Sequence, residues 1–169
     1  MMVGISGVPG TGKTSVTALL EQRGCPVIHI SDTVGSFVIG TDEERDTMIV
    51  DEEAWIAAFP HVDGYVEGHL AHLLPCDRVV ILRCRPDVLD QRLAIRGYSP
   101  AKRHENVEAE ILDLILIETL DLHPREHVLE IDTTVITPES CAESIEAFVR
   151  GALPPSCGNV DWTAYLGVP

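Results

Sequence analysis

Residues Gly7-Val8-Pro9-Gly10-Thr11-Gly12-Lys13-Thr14 read G-x-x-x-x-G-K-[ST], and this stretch decides the fold. An apolar run, Met2-Val3-Gly4-Ile5, precedes it with the composition of a buried strand. Ser15 to Arg23 follows as a helix closed by Gly24. In a strand, glycine loop and helix, successive backbone N–H groups turn inward around a phosphate because no Cβ stands in the way. The positive end of the helix faces the same anion. Lys13 is placed to reach the β- and γ-phosphates of ATP and the Thr14 hydroxyl to ligate Mg²⁺, with Gly7, Gly10, Thr11, Gly12 and Ser15 completing the cradle. The plain alternative is a glycine-rich turn that binds nothing. At ordinary residue usage the four specified positions coincide in roughly one window in 30,000. The stretch predicts a nucleotide-binding protein.

Composition narrows the class. A chain of 169 residues with 45% hydrophobic content has the size and core of one ordered domain. No charged-then-apolar leader precedes the first strand and no apolar run approaches a membrane span, so a soluble protein without a membrane partner is expected. Cys25, Cys76, Cys84, Cys141 and Cys157 are odd in number and widely spaced, which fits neither a zinc site nor a disulfide framework and points to a cytoplasmic location. The net charge of −15 excludes nonspecific nucleic-acid binding by the whole surface, and no direct sequence-specific contact is expected. Any RNA contact would be local or carried by a basic protein partner. Only Lys13 and Lys102 are lysines, a depletion that resembles proteins of salt-loving cells; an ordinary acidic cytosolic protein fits equally well.

Strand-like and helical patterns alternate along the chain, predicting a doubly wound α/β fold with a five-stranded parallel sheet. The strands fall near 3–6, 27–30, 65–66, 79–84 and 128–131. Pro86 opens a helix that runs to Arg96 and stops at Gly97. Ser99 caps the next helix, whose apolar positions Val107, Ile111, Leu114, Ile115 and Leu122 keep helical spacing. Thr137-Pro138-Glu139 starts the last helix. The domain is expected over 1–153, with a loosely attached tail over 154–169.

Three further groups carry chemistry. Glu67 sits just after the third strand, where a carboxylate completes a Mg²⁺ shell, so Thr14 and Glu67 are the expected metal ligands. His69, two residues on, is placed near the γ-phosphate, and His72 is assigned to structure. Arg92 and Arg96 share one helix face, with Lys102 and Arg103 beyond the Gly97 hinge, and this basic cluster has the look of a lid. An exposed basic helix face is the plainer reading. The polar stretch from Ser31 to Glu53 is explained by a solvated face, or by an acceptor-binding arm at the C-terminal edge of the sheet. No N-K-x-D sequence occurs, which disfavours a guanine-reading GTPase.

Together GVPGTGKTS, the DEERD and VDEE segment, VEGH, and RLAIRGYSPAKRHENVEAEIL resemble the adenylate kinase isoenzyme 6 family over about residues 2–135. The resemblance implies transfer of the ATP γ-phosphoryl to AMP or another nucleoside monophosphate, with an ATP site including Gly10, Gly12, Lys13, Thr14 and Ser15, Arg96 at the lid, and the family's acid-x-histidine motif on Glu67 and His69. With Arg92 from the shared helix face, Lys13, His69, Arg92 and Arg96 are the expected catalytic groups. It places an acceptor-binding region over about 29–52, including Asp32 and Arg45, and a short lid over about 95–105. Glu67 stands where the family's eukaryotic members carry Asp. A role in small-ribosomal-subunit maturation, with ATPase activity and a basic ribosomal protein as partner, is implied as well.

Overall fold

The computed structural model describes residues 1–42 and 47–167. The chain runs through β1 (Met2–Ser6), α1 (Lys13–Gln22), β2 (Val27–His29), β3 (Val38–Asp42) and β4 (Thr47–Val50). Then come α2 (Glu52–Ala58), β5 (Gly64–Glu67), β6 (Arg78–Arg83) and α3 (Pro86–Ile95). The last elements are α4 (Pro100–Ile111), α5 (Leu114–Leu122), β7 (Val128–Asp132) and α6 (Pro138–Val149). Five strands form one parallel sheet in the order β2-β5-β1-β6-β7, as the alternation predicts.

The central strands are apolar on both faces because helices cover both. Val3, Ile5, Val80 and Leu82 pack with Val16 and Leu20 of α1 and with Ile145 and Phe148 of α6. Met2, Val79 and Ile81 point the other way, toward Trp55 of α2, Leu74 and Leu116 of α5. Each such side chain, fully buried, contributes about 1.5–3 kcal/mol, which makes this sheet the rigid floor of the molecule. Three helices begin on caps visible in the sequence: Asp51, Ser99 and Thr137 accept from the backbone N–H three residues on.

Three local expectations change. The polar stretch, for which no strand is expected, holds two: β3 and β4 pair antiparallel as a hairpin that leaves the main sheet. The long helix expected from Ser99 to Leu122 breaks into α4 and α5 at Asp113, which adopts φ 56°. The buried Arg83 guanidinium holds the Asp113 carboxylate and the Glu110 carbonyl at the break, so a tertiary ion pair overrides helical periodicity. The tail is docked rather than loose. Ser156 bridges β7 at Leu129, the Gly158 and Asn159 amides donate to Glu130 Oε2, and Trp162 Nε1 donates to Glu110 Oε1 at 3.0 Å. Glu110 and Glu130 both pair with buried Arg83, so the tail supplies the remaining donors to this network.

Candidate active site

The phosphate loop joins the end of β1 to α1 at the C-terminal edge of the sheet, where its positive-φ glycines shape a cradle. At Gly7 (φ 144°) a Cβ would stand 2.5 Å from the Leu82 carbonyl oxygen, so the chain can turn there only as glycine. Gly12 (φ 98°) is the opposite case: a Cβ would meet nothing within 4 Å, because the space above it is open to a ligand. Lys13 begins α1 and folds back, donating from Nζ to the Gly7 carbonyl at 2.7 Å and the Val8 carbonyl at 3.0 Å. Burial lowers its pKa to about 8, with Glu67 opposing the shift. Keeping that ammonium charged at neutral pH costs roughly 3 kcal/mol, a cost that a bound polyanion would offset.

Two cavities open on either side of the loop. The first, about 330 Å³, is bounded by Gly10, Thr11, Gly12 and Ser15, by Arg92 and Arg96 of the α3 end, and by Ile136, Pro138 and Cys141. The second, about 500 Å³, is bounded by Lys13, Thr14, Glu67 and His69 at one end and by Ile30, Val34, Met48, Val50 and Leu70 at the other. Gly10, Gly12 and Arg96 line both, so the cavities meet across the loop under the Arg96 side chain.

The expected site residues divide between these spaces. Gly10, Thr11, Gly12 and Ser15 line the first cavity, while Lys13, Thr14, Glu67 and His69 come together in the second. Thr11 is buried and turns its hydroxyl to the Val8 carbonyl at 2.9 Å. Arg92 is not a mobile cation. Its guanidinium donates to the Thr133 carbonyl at 2.9 Å and also reaches the Thr134 and Gly10 carbonyls, clamping the phosphate loop to the segment after β7. Arg96 is exposed at the shared mouth. Asp32 is exposed and does not line either cavity; its neighbour Ser31 lines the second. Arg45 lies outside the described residues. Of the other hinge cations, Arg103 Nε lies 3.5 Å from Asp90 and Lys102 sits over the Tyr98 ring, both turned toward the helix pair.

His29 enters the sequence reading only as the start of the expected acceptor-binding region, with no role for its side chain. Its Nδ1 lies 2.7 Å from Glu67 Oε2, and this hydrogen bond raises the imidazole pKa. The only signal in the sequence was its place at the end of β2, in register with Glu67 across the sheet. His69 lies on the cavity wall, reachable from solvent yet walled by protein; that partial desolvation, then Lys13, lowers its pKa to about 4. It is a neutral polar group at pH 7. Among the described residues no cluster of three His, Cys, Asp or Glu could hold a metal ion. A hydroxyl (Thr14) and a carboxylate (Glu67) beside a phosphate cradle are a hard-oxygen set that fits Mg²⁺ held jointly with nucleotide oxygens. Among the described residues no helix is long and apolar enough to cross a membrane.

Comparisons with known proteins follow the same lines. The family model for the AAA domain matches residues 3–113. A protein of Natronomonas pharaonis named "Putative adenylate kinase" is 46% identical over 98% of this chain and 100% of its own length. Proteins of the same name from Halobacterium salinarum and Pyrococcus furiosus are 43% and 41% identical, over 98% and 96% of this chain and 100% and 92% of theirs. Among solved structures, the YorR protein of Bacillus subtilis in complex with phosphorylated GDP superposes with TM-score 0.60 at 16% identity, covering 89% of this chain and 96% of its own. Shikimate kinase of Bacteroides thetaiotaomicron superposes with TM-score 0.57 at 17% identity, covering 89% and 98%. At such identities the structural likeness establishes the fold alone. The loop geometry, the matched domain model and relatives alike over nearly their whole length together make this chain a member of the AAA-domain phosphate-loop family, in the group of archaeal proteins named "Putative adenylate kinase".

Proposed function

We propose that the protein transfers the γ-phosphoryl group of ATP to a nucleoside monophosphate, AMP in the first place, giving two ADP, as an isoenzyme 6 type adenylate kinase of the cytoplasm. One observation carries the reading: two cavities, each of nucleotide scale, meet across one phosphate loop beneath one arginine. An ATPase needs a single such space and a water; a phosphotransferase needs two spaces that share an edge. The first cavity takes ATP, with its base between Ile136 and Pro138. The second takes the acceptor between the phosphate end and the apolar wall of Ile30, Val34, Met48 and Val50.

In this reading Lys13 and the loop amides hold the β- and γ-phosphates, and Thr14 and Glu67 hold Mg²⁺. The ion supplies charge neutralisation at the phosphate oxygens when bound. His29 orients the Glu67 carboxylate through their 2.7 Å hydrogen bond. Neutral His69 donates a hydrogen bond to the transferring group. Arg96 swings over the shared mouth and neutralises charge that grows on the equatorial oxygens, while Arg92 keeps the loop in place. Positioning and electrostatics supply the rate, and no covalent intermediate on the protein is required.

The test is a coupled assay of the purified protein with ATP and AMP, CMP, UMP or water as acceptor. The expected result is ADP formation from AMP well above hydrolysis. ATP hydrolysed equally fast with and without AMP, with no acceptor phosphorylated, rejects the kinase. The net charge of −15 favours a second reading, an ATP-switched assembly factor bound to a basic small-subunit ribosomal protein. That reading requires hydrolysis to change when such a protein is added, and binding to weaken with salt.

A further inference from the structure

Behind the phosphate loop, a line of polar groups runs from the surface to the His69 segment. Ser6, the last residue of β1, places its hydroxyl 2.9 Å from the His69 carbonyl and 2.9 Å from His72 Nδ1. His72 Nε2 lies 2.9 Å from Glu118 Oε2 on α5. The imidazole is buried, whereas 58% of the Glu118 side chain is exposed. His123 Nε2 meets the His72 carbonyl at 2.7 Å and holds the backbone under the ring.

Each contact along this line needs one hydrogen. Carbonyl and carboxylate oxygens only accept, the serine has one O–H, and a neutral imidazole has one N–H. Three contacts therefore share two hydrogens, and all three are made at once only by the imidazolium. Burial lowers the His72 pKa from 6.5 while the Glu118 carboxylate opposes the shift. Once the ring has lost its second proton it must abandon one contact. With the Glu118 carboxylate in place, the ring keeps its proton on Nε2. Nδ1 then accepts the Ser6 O–H, and the His69 carbonyl loses its donor. Without a carboxylate at Nε2, the proton can sit on Nδ1 and Ser6 stays on His69. The titratable groups facing the ring are Glu118 from α5, His123 just beyond α5, and His69 on its own segment.

We propose that His72 is a positioning residue whose protonation and tautomer, selected at the surface by Glu118, decide whether Ser6 pins the His69 segment beside the phosphate site. The consequence for phosphoryl transfer rests on the kinase reading above; the tautomer and the pin do not. Glu118 thereby becomes a surface input to the site, one that screening or covering of its carboxylate would actuate.

The test compares full-length wild type with Glu118→Gln and Glu118→Asp by ¹⁵N NMR of the imidazoles at about pH 5.5 and about pH 7.5. At the higher pH, wild type and the Asp variant should carry Nε2–H on His72. The Gln variant, whose carboxamide can donate to Nε2, should carry Nδ1–H. Exchange of the Gly68 and Ala71 amides should then be about tenfold slower in Glu118→Gln than in wild type. The ratio of kcat at the lower pH to kcat at the higher pH should be about fivefold smaller in that variant, with the KM for ATP held within about twofold. His29 titrates in both proteins alike, so the ratio between them isolates His72. One tautomer common to wild type and Glu118→Gln overturns the proposal, as does a tautomer change that leaves amide exchange and the kcat ratio unmoved. Absence of transfer to every nucleoside monophosphate would remove the kinase reading instead, while the tautomer and exchange measurements would still decide the role of His72.

Discussion

The two cavities beside the phosphate loop are built differently. The first is walled by the rigid layers. Thr133 is buried; its hydroxyl donates to the Thr11 carbonyl at 2.7 Å, its backbone N–H donates to the Arg83 carbonyl at 2.8 Å, and Arg92 ties the same segment to Gly10. The second has a rigid phosphate end, but beside Ile30, Val34 and Leu70 its far wall takes Met48 and Val50 from β4, in a hairpin excursion that leaves Met48 57% exposed. Preformed walls confer affinity without closure, whereas a wall with exposed apolar residues gains burial only when a ligand brings it in. The donor nucleotide should therefore bind before the arm closes, and acceptor selection should depend on the closing.

The largest effect is expected at the loop that both cavities share. Lys13→Ala should lower turnover by about 10²–10³, since it removes the one lysine charge at the loop. Lys13→Met should lose as much activity yet raise unliganded stability by about 1–2 kcal/mol, because a buried ammonium is exchanged for an apolar chain. Chemical denaturation checks the second half, and a destabilised Met variant would show that the two carbonyl contacts outweigh the desolvation.

Arg96→Ala is expected to slow transfer to AMP by about 10²-fold while ATP binding is retained, because Arg96 stands exposed where the two cavities meet and its contact with the transferring group strengthens only in the transition state. Single-turnover kinetics and ATP calorimetry separate the two. Lost ATP affinity with an unchanged rate would make it a donor-site contact.

Thr133→Val and Met48→Ala set the two walls against each other directly. The first strands the Thr11 carbonyl, while the Arg83 carbonyl keeps the backbone N–H of residue 133, and should cost about 1–3 kcal/mol of stability while weakening ATP. The second should change stability by less than about 0.5 kcal/mol and raise KM for the acceptor alone. Equal effects on both nucleotides would erase the distinction between the walls.

The smallest effect concerns His29 and Glu67, at the floor of the second cavity. A raised histidine pKa means the pair stabilises the fold fully below pH 6.5 and loses that contribution as pH rises through the folded value. Partial exposure keeps the contribution under about 1 kcal/mol. Denaturation of wild type and His29→Gln at acidic and alkaline pH should show a difference that shrinks as pH rises.

The legibility of these regions follows the range of their interactions. The cradle was readable because glycine torsions, Lys13 and Thr14 act within eight consecutive residues, and caps such as Ser99 and Thr137 act within four. Arg92 was misread as a mobile lid cation because its partners, Thr133 and Thr134, lie about 40 residues away and are carbonyls with no side-chain signature. The His29 side chain escaped notice because one histidine at a strand end carries no pattern until the sheet sets it beside Glu67. The helix break at Asp113 and the docked tail share one cause, buried Arg83, whose demand for carboxylates no local window contains.

Alone, the sequence determined the parallel sheet, the phosphate loop at its edge and most of the polar groups that line the cavities beside it, since apolar periodicity and glycine stereochemistry are local properties. Tertiary structure decided which of those groups remain available to a ligand. Hydrogen-bond satisfaction is global: Arg92 is held at the wall of the first cavity by the Thr133 and Gly10 carbonyls, Arg96 is left at the open mouth, and Ser6 and His72 share too few hydrogens for the contacts they make.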